Sequence, residues 1–493
     1  MKNLLISPPT YSYDELGGGE YPAALLKLST YLKSKGEEVS YFDFVPLKFF
    51  DNKFPYIDGD KSFKIYKFYD NENDLKSFKD QEFPLNVHSY LRCTGQTVYR
   101  FGSPKMRYYN GIDKNIFISY LKKNKPDKIW ISSGITYGWK GTAELIEWCK
   151  AIYSDIPVVV GGIYPTLCPE HARSNTVADE IIVGEYGEIK NERMDYSILP
   201  NPPMYILRHL CKGCPNKCAF CSVTYLEGSC VKYVDLKSDI EEIDELSKNY
   251  NLYNIKLWGS NLLLPGKGKV FGEWLDRLNT LGKDFRIKCP EGFAPEYLTL
   301  DLCKKIKKAG FLDITIPMED ADDNFLTCRM KKNYGIEAWE KAVSYALEAG
   351  FSKEQISVPI IIGTVGQTTD NLEKARELFL KYGVKPIGRR FTPVPKSEWY
   401  EKDEDFKNMN LEHLHGALYP ALKDKETYNR MVKYFTVFAQ NAMTSDAKNK
   451  VGKDMDPKVV TKMAKVLLDI ASQNEEIVKL LKDIKDKINN KKD

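Results

Sequence analysis

The chain has 493 residues, 43% of them hydrophobic, and its 72 Lys and Arg against 68 Asp and Glu leave a net charge of +4. That length exceeds the size at which a single core keeps growing, so two or three domains are expected, and so balanced a charge removes the electrostatic case for nucleic acid as a partner. No run of about 18 apolar residues exists to span a membrane, the opening Met-Lys-Asn-Leu-Leu-Ile-Ser-Pro-Pro is too short in apolar residues for a signal peptide, and eleven Cys without even pairing, Cys149 and Cys303 among them inside apolar runs, point to reduced thiols and a cytoplasmic setting.

Residues 1–190 alternate short apolar strands with helical patterns, the rhythm of a parallel sheet. Asn3–Ser7 reads as a strand ending in Pro8-Pro9. After Gly17-Gly18-Gly19, Pro22 opens a helix whose Ala24, Leu25, Leu28, Tyr31 and Leu32 keep helical spacing up to Gly36. Val39–Phe42 is the next strand, with Asp43 at its end. Roughly residues 46–112 then hold Phe49, Phe50, Phe54, Tyr56, Phe63, Tyr66, Phe68 and Tyr69 among many charges. Loops this long are uncommon unless functional or independently folded, so this stretch is expected to be an insert: a lid or substrate-contacting element, or an excursion packing its aromatics on the sheet edge.

Strands follow at Lys128–Ser132, Pro157–Val160 and Glu180–Val183, with a helix at Thr142–Tyr153. The whole reads as a doubly wound, Rossmann-like parallel sheet whose ligands bind beyond the carboxyl ends of its strands. Ser132, Ser133 and Gly134 follow one strand and Gly161 and Gly162 the next, where small hydroxyls and Gly-permitted close backbone approach would serve a cofactor. Gly after a strand is also an ordinary turn.

Residues 191–204, ending near Leu199-Pro200-Asn201-Pro202-Pro203, form a linker, and a second βα domain spans 205–394. Its strands are expected at Ile206–His209, Asn254–Trp258, Phe285–Cys289, Asp313–Met318, Ile356–Ile362 and Gly388–Phe391. Helices lie between them at Ser238–Asn249, Val270–Leu281, Leu300–Ala309, Ile336–Ala349 and Leu372–Tyr382. Six units in this rhythm make a partial TIM-type barrel, whose catalytic loops leave the strand ends. Residues 395–493 turn helical and charged, with helices at Leu411–Leu422 and Tyr428–Asn441 and a final region Pro457–Lys487 in which Val460, Met463, Val466 and Leu467 keep helical spacing; Lys482–Asp493 is expected to fray.

The first expected strand of the second domain delivers Gly-Cys-Pro-Asn-Lys-Cys-Ala-Phe-Cys, with Cys214, Cys218 and Cys221. This Cys-x3-Cys-x2-Cys spacing can bring three thiolates to three corners of one four-iron cube and leave the fourth iron open to another ligand. Cys211 precedes the loop, so four thiolates could instead close a zinc or electron-transfer site of a non-enzyme. Structural zinc sites usually gather two knuckles a dozen or more residues apart, and these four Cys lie within eleven residues, which disfavours zinc. Cys211 and Cys230 are neighbours without an assigned role.

With Phe220 just before the last Cys, the loop resembles the motif of the radical S-adenosylmethionine (SAM) superfamily, and the resemblance covers about Tyr205–Val394. It implies a 4Fe-4S cluster whose open iron is chelated by SAM, reductive cleavage to a 5′-deoxyadenosyl radical, and an electron donor such as flavodoxin or ferredoxin. Glu319, in Ile-Pro-Met-Glu-Asp, matches the acidic position at the end of the fourth strand that contacts the SAM ribose or amine in this group. Ser260-Asn261 occupies the place of a common Asp-Asn pair after the second strand, so one carboxylate is missing there. Glu291-Gly292-Phe293 and Gly363–Thr368 resemble family turns, and Arg389 and Arg390 could bind a carboxylate bidentately.

Two stretches of the amino-terminal layer extend the resemblance. Gly161-Gly162-Ile163-Tyr164-Pro165-Thr166 with Pro169-Glu170 is similar to the Gly-Gly-x-His-Pro-Thr stretch of cobalamin-binding domains fused to radical SAM enzymes, with Tyr164 in place of His. Gly184-Glu185-Tyr186-Gly187-Glu188 resembles the Gly-Glu-Gly-Glu turn that closes the same domain. No Asp-x-His-x-x-Gly run supplies a cobalt-ligating His, and Tyr137 and Trp139, which follow a strand end, are candidates to cover the lower face of a cobalamin. The resemblance implies cobalamin-dependent methylation of an unactivated carbon, with ring closure or rearrangement without methyl transfer as the alternative; it leaves the substrate open.

Overall fold

A computed structural model describes residues 1–13, 20–45, 109–423, 426–431, 434 and 438, together with the backbone of strands at 63–69, 86–91, 97–102 and 106–108. In chain order the amino-terminal strands are β1 (Lys2–Ser7), β2 (Thr10–Ser12), β3 (Glu38–Asp43), β4 (Phe63–Tyr69), β5 (Asn86–Leu91), β6 (Thr97–Gly102), β7 (Met106–Ile112), β8 (Lys128–Ser133), β9 (Val158–Gly162) and β10 (Glu180–Ile181). Continuous apolar runs such as Leu4-Leu5-Ile6 and Val158-Val159-Val160 are buried on both faces, as parallel strands covered by helices must be. They form a parallel sheet of order β10-β9-β8-β1-β3. The helix Ala23–Ser34 buries Leu25, Leu28 and Leu32 against it, and Leu26 against Met194, Tyr196, Tyr205 and Leu207. Because the chain leaves β1 toward β3 and returns on the other side to β8, the strand order reverses between β1 and β8, where doubly wound sheets open a ligand crevice.

The second domain has β11 (Ile206–Lys212), β12 (Lys232–Tyr233), β13 (Asn254–Gly259), β14 (Arg286–Lys288), β15 (Ile314–Thr315), β16 (Ile356–Ile362) and β17 (Lys385–Arg390). Parallel β11-β13-β14 and parallel β15-β16-β17 are joined by the Ile287 to Phe311 bridge, while β12 caps the β11 edge in antiparallel fashion. The six parallel strands form the partial barrel expected from the sequence. Helices Leu236–Tyr250, Lys269–Asn279, Leu300–Lys308, Ile336–Glu348 and Thr369–Tyr382 pack their apolar stripes around it.

One expectation needs correction. Residues 411–422 do not form a helix: they make two short 3-10 turns, Leu411–Leu414 and Gly416–Leu418, separated by His415 in an extended conformation and followed by Tyr419 at φ 48°. Gly416 and Pro420 defeat the apolar spacing there. Within the stretch 46–112, β4 pairs with β7, which pairs with β2, in an antiparallel sheet, and β5 and β6 form a hairpin. The aromatic side chains expected at 49–69, the chain beyond Met431 apart from Tyr434 and Phe438, and the region 457–487 lie outside the described residues.

One buried charge cluster holds the barrel wall to its helices. Arg208 on β11 bonds Asp239 and Glu242 of the helix Leu236–Tyr250, and Trp274 Nε1 donates to Asp239 at 2.8 Å. All four side chains are buried. Arg208→Ala leaves Asp239 with only the Trp274 N–H and Glu242 with only Arg193 at 3.9 Å, two buried carboxylates without their close cation, so it should cost about 3–5 kcal/mol, read as a lowered urea midpoint, whereas the exposed Arg277→Ala should move it by under about 0.5 kcal/mol.

Candidate active site

The cysteine loop leaves β11 at the barrel's carboxyl-terminal face and is held by the backbone. Gly213 adopts φ 88°, and a Cβ there would collide with the Cys230 carbonyl, so only Gly fits. Gly213 N–H donates to Glu227 Oε2 at 3.0 Å and Cys214 N–H to Gly228 O at 3.0 Å. Thr224 Oγ1 donates to the carbonyls of Cys214 and Asn216. Ala219 N–H donates to Met330 O at 3.0 Å and Trp399 N–H to Ala219 O at 2.9 Å. Ser260 also donates to Glu227; the place of the family's carboxylate is thus taken by a hydroxyl bracing the loop through Glu227, a residue that sequence reading passed over.

Cys214 and Cys218 are half-exposed and Cys221 exposed, and the Val223 N–H points at Cys221 Sγ at 3.5 Å. Burial pushes the Cys218 thiol up to about 11 and raises Cys221 as well, with the Lys332 ammonium opposing both; metal ligation there must therefore release protons. Cys211 instead lies in the barrel core, where burial pushes its thiol up to about 11. Its Sγ fills the space against Gly259. Cys230 is exposed, and its carbonyl supports Gly213. Among the described residues no three His, Cys, Asp or Glu converge on a single-ion site.

Beside the loop stands an ion pair whose lysine the sequence reading missed. Glu319, which follows β15, accepts from Lys332 Nζ at 3.2 Å, and both side chains are largely buried. Glu319 holds φ 65°, fixed by backbone bonds to Pro359 and Ile361 on either side; strained backbone of this kind persists only where its surroundings over-determine it. The Lys332 ammonium lies 5.6 Å from the Phe220 ring centre and 5.1 Å from that of Tyr334. Burial acts to lower its pKa, but Tyr334, Glu319 and Cys218 outweigh it and hold the lysine protonated. In sequence, Arg-Met-Lys-Lys-Asn reads only as a solvated charge run.

Three polar atoms around the same mouth are buried without a hydrogen-bond partner among the described residues: Asn261 Oδ1 after β13, Glu296 Oε2 after β14 and Thr364 Oγ1 after β16. Buried polar groups are normally satisfied. With three thiols, a carboxylate and a cation beside them, the donor set fits a three-Cys iron-sulfur cluster and a polar, partly cationic ligand such as SAM. Glu291, after β14, is exposed, yet desolvation pushes its carboxyl up to about 7, with Glu20 adding to the rise and Lys256 and Arg389 opposing.

At the carboxyl ends of the doubly wound sheet, Ser132 pairs in register with Gly161 and Ser133 with Gly162. Ser133 is buried and accepts from Thr142 Oγ1 at 2.9 Å, and a Cβ on Gly162, at φ 103°, would lie 2.5 Å from Ser133 O; these two lock strand to strand and strand to helix. Gly134 is exposed with nothing within 4 Å of where its Cβ would be, and Ser132 Oγ makes no hydrogen bond to the described residues, so no described residue covers these positions at the end of β8. Small side chains there suit the close approach of a corrin's tail. Tyr164 is fully buried and bonds His171 Nδ1 at 2.9 Å, and His171 meets Trp139 edge-on at 4.8 Å. Trp139 Nε1 donates to Glu412 at 2.9 Å. Tyr164, Ala219, Phe391 and Trp399 share one apolar cluster, with Trp139 and Phe220 packed against it, so the strand-end faces of the two domains meet.

Comparison with known proteins agrees with this division. Residues 209–379 match the model of the radical SAM superfamily, and residues 110–192 match that of the B12 binding domain. A tRNA-2-methylthio-N(6)-dimethylallyladenosine synthase from Clostridium botulinum (strain Okra / Type B1) is 25% identical over 318 residues, 60% of this chain and 66% of that protein. A threonylcarbamoyladenosine tRNA methylthiotransferase, MtaB, from Thermotoga maritima is 25% identical over 234 residues, 46% of this chain and 52% of that one. The chain thus spans slightly less than two thirds of the first relative's length. The solved structure of the radical SAM methyltransferase TsrM from Kitasatospora setae, with cobalamin and a [4Fe-4S] cluster bound, aligns with a TM-score of 0.53 at 13% identity, covering 80% of this chain and 77% of that one. The two share a fold.

Changing Cys214, Cys218 or Cys221 to Ala should remove iron and sulfide from anaerobically reconstituted protein, whereas Cys211→Ala should keep both. Gly213→Ala, with every Cys intact, should also lower bound iron, because the loop cannot keep its path past Cys230. Metal retained by Cys214→Ala but lost by Cys211→Ala would sink the three-Cys assignment.

Proposed function

Because the chain is a radical SAM superfamily protein with an amino-terminal B12-binding-type domain, we propose that it is a cobalamin-dependent methyltransferase acting on an unactivated carbon. The observation that supports this reading is the shared core of Tyr164 and Ala219, which brings the segment after β9 and the cysteine loop together. When bound, a cluster with SAM supplies a 5′-deoxyadenosyl radical and a corrin supplies a transferable methyl group.

This chain's residues would divide the work as follows. Cys214, Cys218 and Cys221 hold the cluster, and the Phe220 ring and Lys332 wall one side of it. Glu319, kept in place by Lys332, meets the amine or ribose hydroxyls of SAM, and Asn261, Glu296 and Thr364 gain the partners they lack. Ser132, Gly134 and Gly161 border the corrin tail, while Ser133 and Gly162 fix the strand ends that shape it. Glu291, near neutrality in its pKa, can hold or release a proton where substrate enters. The apolar seam excludes water from the reacting space. The corresponding units are residues 1–190 for the corrin, 205–394 for the cluster and SAM, and 395–493 as a covering region, with 191–204 as linker; a flavodoxin or ferredoxin would deliver the electron.

The tRNA-modifying relatives favour a second reading, methylthiolation of a nucleic-acid base. Methyl transfer from a corrin that is remethylated by SAM must give one 5′-deoxyadenosine and one S-adenosylhomocysteine per methylated product, and methyl-deuterated SAM should deliver its label to that product. Product of unchanged mass, with deoxyadenosine formed and no S-adenosylhomocysteine, rules methyl transfer out in favour of rearrangement. The near-balanced charge leads us to expect no tight, salt-sensitive binding to RNA; submicromolar tRNA affinity falling steeply with salt would favour the second reading.

A further inference from the structure

Glu319 is held in its strained conformation by the residue that follows it. Asp320 N–H donates to Met318 O at 2.9 Å, closing a three-residue turn around Glu319 at φ 65°, the rare and strained form of the γ-turn. Glu319 sends its carboxylate to Lys332, while Asp320, 0% exposed, turns to the segment after β16. Its Oδ2 accepts from Gln367 Nε2 at 2.9 Å, and its Oδ1 accepts from Asn371 Nδ2 and from Asp322 N–H, each at 2.9 Å. Gln367 in turn accepts from Gly363 N–H at 2.8 Å and donates to Ile361 O at 2.8 Å. Asn371 closes a capping box with Thr368 at the start of the helix Thr369–Tyr382.

Two of the three donors on Asp320 thus come from one segment, residues 363–371, and that segment carries Thr364. Thr364 is also 0% exposed, and its Oγ1 has no hydrogen-bond partner among the described residues. Glu319 pairs with Ile360 and accepts from Ile361 N–H at 3.0 Å, so the strained turn and Thr364 leave adjacent strand ends. A backbone of this kind costs about 1–3 kcal/mol and needs surroundings that over-determine it; the bonds of Asp320 supply them. We propose that Asp320 is a positioning residue of the SAM site: it clamps the turn at Glu319 to the segment after β16, so that the Glu319 carboxylate and the Thr364 hydroxyl meet one bound ligand. This rests on the reading that the barrel mouth holds SAM. Among the described residues, Asp320, Gln367 and Asn371 make no bond to the cysteine loop, so the clamp acts on the ligand and leaves the cluster alone.

The test is equilibrium binding of SAM to full-length, anaerobically reconstituted protein. Asp320→Asn keeps the shape and sets an amide donor against the donors of Gln367 and Asn371. It should weaken SAM by about tenfold, the worth of one buried hydrogen bond, with iron content and circular dichroism as in the parent. Gln367→Met, which leaves Asp320 in place, should do the same and carries the test if Asp320→Asn does not fold. Thr364→Val should also weaken SAM, and the double variant with Asp320→Asn should lose little more than either single one, because both changes spoil one contact. Unchanged SAM affinity in Asp320→Asn and Gln367→Met, iron lost along with SAM in both, or losses that multiply in the double variant each overturns the inference. A parent protein that holds its iron and binds no SAM overturns the reading of the mouth itself.

Discussion

Both sheets direct their carboxyl ends toward one apolar seam, and the arrangement of every candidate side chain depends on that seam. Tyr164 from the short helix Ile163–Leu167 after β9 and Ala219 from the cysteine loop are fully buried in it, beside Phe391 and Trp399. Each large side chain removed from water there contributes about 1.5–3 kcal/mol, and backbone bonds from Ala219 to Met330 and from Trp399 to Ala219 fix its geometry. Parallel sheets expose their ligand-binding ends through loops alone. Two such ends pressed together make an interior that neither sheet could enclose.

That interior is polar on one wall and apolar on the other. The barrel side carries Glu319, Lys332, Asn261, Glu296 and Thr364, and the sheet side carries Gly134, Ser132 and an aromatic group built from Tyr137, Trp139 and Tyr164 with His171. A charged, hydrogen-bonding ligand suits the first wall and a broad, flat one the second. The turns of residues 411–422 touch both.

Much of this was legible in the amino-acid order, and the failures have physical reasons. Ile356–Ile362 was read to the residue because an apolar run bounded by Gln355 and Gly363 has one sensible fate between two helices. The three Cys carried their own spacing. Helical spacing misled at Leu411–Leu422, where Gly416 and Pro420 should have outweighed it. The aromatic and β-branched residues Phe63, Ile65, Tyr66, Phe68 and Tyr69 suit a strand that the surrounding charge hid, and β4 stands there. The parts played by Lys332 and Asp320 were invisible because their partners, Glu319 and Gln367, are 13 and 47 residues away; only the fold brings them together.

The buried oxygens of Asn261, Glu296 and Thr364, which have no hydrogen-bond partner among the described residues, carry a consequence for the life of the protein in a cell. Each such group costs about 1–3 kcal/mol while it lacks a donor, a penalty of the same order as a domain's whole margin of stability. A ligand that satisfies them stabilises the folded chain by mass action, and proteases that sample open states act less on a chain so stabilised. The abundance of the protein would then follow the supply of its small-molecule ligand, and scarcity would thin the population before any turnover was lost.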